Sequence, residues 1–311
     1  MRTLLAILGP TASGKTALGV SLAERHGGEI VSCDSTAVYR GFDIGTDKPS
    51  AADRRGVPHH LIDVADPEEE YTAARYAREA TGVIESVAAR GRLPILVGGT
   101  GFYYRALTRG LFPGPGRDAA LRGRLEAIAV RRGPAFLHRM VGRVDPDSGR
   151  RIQPRDVKRL VRALEVFFLT GRPLTAHFTE TVAPLAGWHI VPIGLRLPAA
   201  DTAARVARRV DEQFARGLLD EVRGLLARGV PDTARPFGGL VYRQVIDHLR
   251  GVRDEAATRA LIVQENRRYA RRQLIWFRKE PNLEWFDGPG EQTGTRTSVE
   301  GMLTERLQEA C

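Results

Sequence analysis

Cysteine is almost missing from this chain: Cys33 and Cys311 are the only two in 311 residues. Two thiols so far apart make no disulfide framework for a chain of this length and match no zinc-site spacing, which predicts a reducing compartment, the cytoplasm. Long apolar runs are missing too. The run Leu4 to Leu8 is too short for the hydrophobic region of a signal peptide and leads into Gly-Pro. Nothing approaches the ~18 apolar residues of a membrane span, so no membrane partner is expected. Repeats and low-complexity tracts are absent, apart from a polar, Gly-rich stretch from Asp287 to Ser298 that reads as surface loop. Lysine is scarce: four of the 47 basic residues, the rest being arginine. The planar fork of arginine suits bidentate phosphate recognition, and skewed base composition of a genome produces the same ratio.

What the chain has in excess is positive charge, a formal +10 with a pI near 10.2. That imbalance points to nucleic acid first and an anionic membrane surface second. The length exceeds that of a usual single domain, so two domains or a core with an insertion are expected. The first half alternates strand-like and helix-like segments: Thr3 to Leu8, a helix from Lys15 to about His26, Glu29 to Cys33, Leu61 to Val64, a helix from Thr72 to Ala89, and Leu93 to Val97. Such alternation predicts an α/β fold with a parallel sheet covered by helices. From Gly114 the spacing turns helical, with Gly and Pro punctuation and no strand candidate. Gly114 to Pro184 holds 14 Arg plus Lys against 7 Asp plus Glu. A strand returns at His189 to Leu197, then helices near Asp201 to Ala215, Leu218 to Ala227 and Asp254 to Lys279. The expected organisation is a core of residues 1–113 and 184–311, split by an all-helical insertion over 114–183.

The segment GPTASGKT comprises Gly9, Pro10, Thr11, Ala12, Ser13, Gly14, Lys15 and Thr16. It matches the phosphate-loop pattern in full, between a strand and a helix as that pattern requires. Its amides and the helix N-terminus attract an anion, Lys15 supplies a point charge, and the Thr16 hydroxyl can ligate Mg2+. The motif names a phosphate and not a reaction. A kinase or ATPase adds an acid at the end of an apolar strand, yet LPILVGG ends without one, leaving Asp63 as a possible substitute. A P-loop small-molecule or nucleoside kinase is the alternative reading.

Asp34 follows the second strand candidate, expected beside the phosphate loop. It has three readings there: a helix N-cap, a magnesium partner or a general base. GGTG, Gly98 to Gly101, is either a tight strand-to-helix turn or a loop presenting the Thr100 hydroxyl to a substrate. The last long helix carries Arg267, Arg268, Arg271 and Arg272 with Tyr269, Trp276 and Phe277 interleaved, a stripe suited to a nucleic-acid backbone or to a solvated surface. A second basic cluster, Arg155, Lys158, Arg159 and Arg162, lies in the insertion. In GLVYRQ, Tyr242 beside Arg243 is a pair able to stack on an unpaired base.

Taken together, GPTASGKTAL, DSTAVYRGFDIGTDKP, PHHLID, GRLPILVGGTGFYYRAL, RALEVFFLTGRPLT, RRVDEQFARGLLDEV and YARRQLIWFRKE resemble the bacterial tRNA dimethylallyltransferases, the delta(2)-isopentenylpyrophosphate transferase family. The resemblance runs over nearly the whole length. It implies a cytoplasmic, monomeric, Mg2+-dependent transferase with a P-loop-type core. Its reaction moves a dimethylallyl group from dimethylallyl pyrophosphate to N6 of the adenosine immediately 3′ of the anticodon, in the anticodon stem-loop of tRNA. On this resemblance Thr11 to Thr16 bind the pyrophosphate, with Lys15 and Arg209 as clamps and Thr16 near the metal. Asp34 is the base and Thr100 positions the amino group. Contacts to tRNA fall on Asp34, Ser35, Thr36 and Ala37; on Lys158, Arg159, Leu160, Val161 and Arg162; on Gly238, Gly239, Leu240, Val241, Tyr242 and Arg243; and on Thr100 and Arg122. The chain departs from the family pattern at Ala37, Val241 and Ile275, where many members carry glutamine, glycine and threonine.

Overall fold

The computed structural model describes residues 2–309, the side chains of 307–309 excepted, so Cys311 lies outside the described residues. The chain divides into two compact units, residues 1–108 with 185–311, and residues 109–184.

The first unit is built on six parallel strands, β1 (Thr3–Leu8), β2 (Gly28–Cys33), β3 (His59–His60), β4 (Leu93–Gly98), β5 (His189–Arg196) and β6 (Glu284–Asp287). Their order is β3-β2-β4-β1-β5-β6. TLLAIL and LPILVG are apolar without alternation because a parallel sheet is covered on both faces. One face packs under α1 (Lys15–His26), a short α2 (Ala51–Arg54) lying near it. The other lies under α3 (Ala73–Ala89) and α4 (Gly101–Arg109).

β4 pairs with both β1 and β2 and so lies between them. Gly98 makes this close pairing possible, since a Cβ there would lie 2.1 Å from the Cys33 carbonyl oxygen. The strand expected at Leu61 to Val64 is displaced. Only His59–His60 pairs, with β2, and the chain then breaks out of extended geometry at Leu61 (φ 60°) and Asp63 (φ 57°). The cause is local: the Asp63 carboxylate is drawn 2.5 Å from the ammonium of buried Lys48, which also holds Asp43 at 2.8 Å. β6 had no sequence signal, and the Asp287 to Ser298 stretch is only briefly a loop, because a helix begins at Thr293.

The second unit is helical: α5 (Ala119–Arg132), α6 (Pro134–Val144), α7 (Pro146–Arg151) and α8 (Val157–Thr170). It begins at residue 109 and not 114. A Cβ on Gly110 would lie 2.0 Å from the Val182 carbonyl oxygen, so the entering and leaving strands of the unit close on each other there. Its core of Leu125, Leu137, Val141, Leu160, Val161 and Leu164 packs with two buried carboxylates, Asp145 and the fully buried Glu165. Glu165 accepts both prongs of Arg122 at 2.8 Å, Arg162 at 2.7 Å and the Asp118 amide at 2.9 Å.

The chain returns to the first unit through β5 and continues with α9 (Ala199–Ala215), α10 (Leu218–Ala227), α11 (Leu240–Leu249), α12 (Glu255–Phe277) and α13 (Thr293–Glu309). Helix α12 is capped by Asp254, whose carboxylate accepts from the Ala257 amide. Val299 and Leu303 of α13 join the α1 side of the core.

Burial alone would raise the Glu165 pKa, but hydrogen bonds from Arg122 and Arg162 overrule it and bring it down to about 2. A folded pKa below the ordinary 4.5 means the contribution is complete above that value and lost as pH falls toward 2. We expect Glu165→Ala to destabilise the chain at pH 7 by roughly 2–3 kcal/mol, below the ~3–5 kcal/mol of a fully buried pair, since two half-buried arginines lose their partner but keep access to water. The gap from wild type should shrink in urea titrations taken through that acid window, and a gap that stays constant would contradict the assignment.

Candidate active site

In parallel sheets, loops that can carry a ligand gather beyond the carboxyl ends of the strands. Here those loops are Gly9 to Gly14 after β1, Asp34 onward after β2, and Gly98 to Thr100 after β4, and all three line one cavity of about 500 Å³. Because β4 lies between β2 and β1, its Thr100 loop stands between Asp34 and the phosphate loop.

The phosphate loop is held open by several bonds. Ala12 sits in the left-handed region (φ 62°), as does Gly14 (φ 81°), the geometry needed to turn successive amides inward. The Ser13 hydroxyl donates to the Pro10 carbonyl at 2.9 Å, and Lys15 Nζ reaches the same oxygen at 2.5 Å. The Thr11 amide does not face an anion; it donates to Gln273 Oε1 at 2.8 Å, while Gln273 Nε2 donates to the Gly99 carbonyl at 2.9 Å. From α9, Arg209 donates to the Thr11 hydroxyl at 2.8 Å and pairs with Asp47 at 3.3 Å. One turn earlier, Arg205 donates to the Ala12 carbonyl at 2.6 Å and pairs with Glu291 at 2.5 Å. Thr16 begins α1 with its side chain exposed, beside the cavity.

Asp34 caps a turn and not a helix. Its Oδ1 accepts from the Thr36 amide (2.8 Å), the Thr36 hydroxyl (2.7 Å) and the Ala37 amide (3.3 Å). All three bonds fall on one oxygen, and among the described residues none falls on Oδ2, so capping and base chemistry are compatible on the same side chain. The Thr100 hydroxyl accepts from the Ser35 amide at 3.0 Å, tying this turn to the β4 loop. Tyr269 of α12 comes within reach of Thr100, and burial pushes its phenol pKa up, with the charge of Asp34 adding to it.

The residues expected to touch tRNA divide by exposure. Ser35, Thr36, Lys158, Arg159, Gly238, Gly239, Leu240 and Arg243 are wholly or partly accessible, Arg243 pairing with Glu265 at 3.1 Å. Leu160, Val161, Ala37 and Val241 turn their side chains into the interior. Arg122 and Arg162 hold Glu165. Tyr242 cannot stack on a base: it is 2% exposed, packs edge-on against Phe42 with centroids 4.9 Å apart, and its hydroxyl donates to Glu221 at 2.6 Å. Along α12 the four arginines face solvent, but Phe277 is buried and half-buried Trp276 lies under Arg105. Arg267, Arg268, Arg271 and Arg278 border a groove of about 960 Å³ that begins at Pro10 and exposes Ile275.

Sequence reasoning missed Gln273, Arg205, Asp47 and Glu291. Arg205 was within reach, since it precedes Arg209 by four residues on one helix face. The other three act across large sequence separations that no local pattern carries.

Burial pulls the Lys15 pKa down to about 7, the Arg209 charge adding to the effect and Asp34 partly opposing it. A bound pyrophosphate favours the ammonium, so above that pH the complex holds a proton that the free site lacks. We expect pyrophosphate binding to take up close to one proton more in wild type than in Lys15→Met near about pH 8.5, and no more near about pH 6. Calorimetry in buffers of differing ionisation enthalpy reads this directly; equal uptake in both proteins at the higher pH would refute it.

Comparison with known proteins fits this geometry. A family model described as IPP transferase matches residues 37–280. That match begins after the phosphate loop and Asp34, but the tRNA dimethylallyltransferase of Thermomicrobium roseum, 44% identical over 99% of this chain and 94% of its own, spans these as well. The tRNA dimethylallyltransferase of Koribacter versatilis is 46% identical over 288 residues, covering 93% of this chain and 94% of its own. That of an Anaeromyxobacter species is 47% identical over 300 residues, covering 96% and 99%. Among solved structures, the tRNA isopentenylpyrophosphate transferase of Bacillus halodurans superposes with a TM-score of 0.74 at 37% identity, over 99% of this chain and 98% of that one. A eukaryotic dimethylallyltransferase acting on tRNA superposes with a TM-score of 0.79 at 25% identity, over 97% and 78%. On the family model and on relatives this similar along nearly the whole length, the chain belongs to the IPP transferase family.

Proposed function

We propose that the chain transfers the dimethylallyl group of dimethylallyl pyrophosphate to N6 of the adenosine immediately 3′ of the anticodon in tRNA. The observation that carries this reading is the convergence of Asp34 and the phosphate loop on one cavity, with the Thr100 hydroxyl bonded to the turn after Asp34, in a chain whose relatives are named for this reaction. The adenine amino group is a weak nucleophile, its lone pair being delocalised into the ring. The allylic carbon compensates by tolerating positive charge as its C–O bond breaks. N6 forms the new C–N bond, the bond electrons leave with pyrophosphate, and the N6 proton passes to Asp34.

Catalysis then rests on stabilising the leaving group and aligning the amine. Loop amides, Lys15 and Arg209 do the first; Thr100 and the turn after Asp34 do the second. No cluster of three His, Cys, Asp or Glu side chains able to hold a metal exists among the described residues. Mg2+ therefore fits as a guest of the diphosphate, met by Thr16, and when bound it supplies neutralising charge to the leaving oxygens. The target base leaves its stack to reach the cavity, at a cost of a few kcal/mol that cationic contacts offset. Lys158, Arg159 and the α12 arginines are the exposed groups available for that. No helix among the described residues is long and apolar enough to cross a membrane, and a monomer working in the cytoplasm suits a tRNA substrate.

A phosphoryl-transferring kinase is not favoured. The chain's relatives are named for transfer to tRNA, and Asp63, the acid that the sequence offered as a substitute metal partner, is engaged by Lys48. Purified protein, Mg2+, unmodified tRNA and dimethylallyl pyrophosphate should suffice, giving one pyrophosphate per modified adenosine with no ATP; mass analysis of anticodon-loop fragments identifies the product. Asp34→Asn should lower turnover by at least ~100-fold while tRNA binding survives. A requirement for ATP would restore the kinase reading, and near-normal turnover of the variant would leave Asp34 a capping residue only.

A further inference from the structure

Accepting that reading, the question is why a phosphate loop of a type that usually seats nucleoside triphosphates would serve a diphosphate. We propose that the strap Gly288 to Gln292, through Glu291, sets a preference for diphosphate over triphosphate chains. The strap leaves the end of β6 and lies against the rim of the phosphate loop. Its Gly290 amide donates to the Ser13 carbonyl at 2.9 Å. The approach has no slack: a Cβ on Gly290 would lie 2.4 Å from the Gly14 carbonyl oxygen, and a Cβ on Gly14 would lie 2.0 Å from Glu291 Oε2 and 2.6 Å from the Gly290 amide. The space beside Gly14 is thus occupied by main chain and a carboxylate.

The opposite rim is occupied too. The Thr11 amide is committed to Gln273 and the Thr11 hydroxyl to Arg209. An anion held by the remaining amides has little room to extend along the loop at either end.

Charge acts in the same direction. Both arginines that hydrogen-bond the loop are matched by a carboxylate, Arg205 by Glu291 and Arg209 by Asp47. The cationic surplus left for a ligand is smaller than the lining Lys15, Lys48, Arg205, Arg209 and Arg216 would suggest, and each added phosphate brings another negative charge toward Glu291. That carboxylate is 43% exposed, so solvent screens it and the discrimination it supplies is modest.

The test uses inorganic pyrophosphate and tripolyphosphate, each with Mg2+, binding to the full chain by calorimetry. Glu291→Gln keeps the shape and a hydrogen-bond acceptor for Arg205; Glu291→Gly removes bulk as well. We expect the tripolyphosphate-to-pyrophosphate affinity ratio to rise by about fivefold in the first variant, a factor suited to one half-screened charge, and further in the second. A ratio unchanged in both folded variants overturns the proposal, as does an equal gain for both anions. Failure of wild type to bind pyrophosphate at all would instead defeat the proposed function, so the two outcomes are separable. Melting temperatures within a few degrees of wild type establish that the variants are folded.

Discussion

A single buried amide holds the candidate site together. Gln273 accepts the Thr11 amide with one end and donates to the Gly99 carbonyl with the other, so the loop after β1, the loop after β4 and helix α12 are fixed to each other at one point. Neither backbone group has a sheet partner to use instead, and a buried amide or carbonyl left unpaired costs about 1–3 kcal/mol. The bond direction matters as much as its existence. Only a side chain that both accepts and donates closes this bridge, which excludes glutamate, leucine and lysine at the position. Everything that depends on the distance between Thr11 and Thr100, and hence between a leaving group and an incoming amine, passes through it.

Around that bridge the charges are arranged with restraint. A site for a polyanion could be built from unopposed cations, but here burial has already moved Lys15 to about 7 and each loop-bound arginine has its own acid. Burial pushes the Asp47 pKa up while the charge of Arg209 pulls it down, so the two groups of that pair lean on each other. The consequence is a site whose positive potential is partly offset by its own acids, not left as a row of unopposed cations. Such a site costs less to fold than one holding several unpaired buried cations.

Much of this was legible in the sequence because it is local. The phosphate loop between a strand and a helix, the parallel sheet covered by helices and Asp34 at a strand end all follow from short patterns, while the third strand and the start of the helical unit lie a few residues from where their patterns placed them. What was not legible is relational. The position of β4 between β1 and β2 is a crossover that no strand announces by itself, and it sets the Thr100 loop between Asp34 and the phosphate loop. Tyr242 reads as a stacking aromatic because it adjoins an arginine, yet Glu221 and Gly45, at positions 221 and 45, draw its hydroxyl inward. Asp287 to Ser298 reads as surface because it is polar, and polarity cannot tell a solvated loop from one whose amides serve another loop.

The arginines counted in the sequence are not all equally available. In the helical unit, Arg122 and Arg162 are spent on Glu165, and Arg150, Arg159 and Arg172 each have an acid of their own at Asp147, Asp156 and Glu180. That pairing leaves the net positive balance of the segment in place but ties up these five side chains. On α12 the position is reversed: Arg267, Arg268 and Arg271 make no ion pair among the described residues and border a groove in which no carboxylate takes part. Since an unpaired exposed cation releases counterions on meeting a phosphate and a paired one first has to give up its partner, the α12 edge is where the core's own attraction for RNA is concentrated. That edge begins at Pro10, the residue whose carbonyl holds both Ser13 and Lys15, so the basic groove and the phosphate loop share a residue.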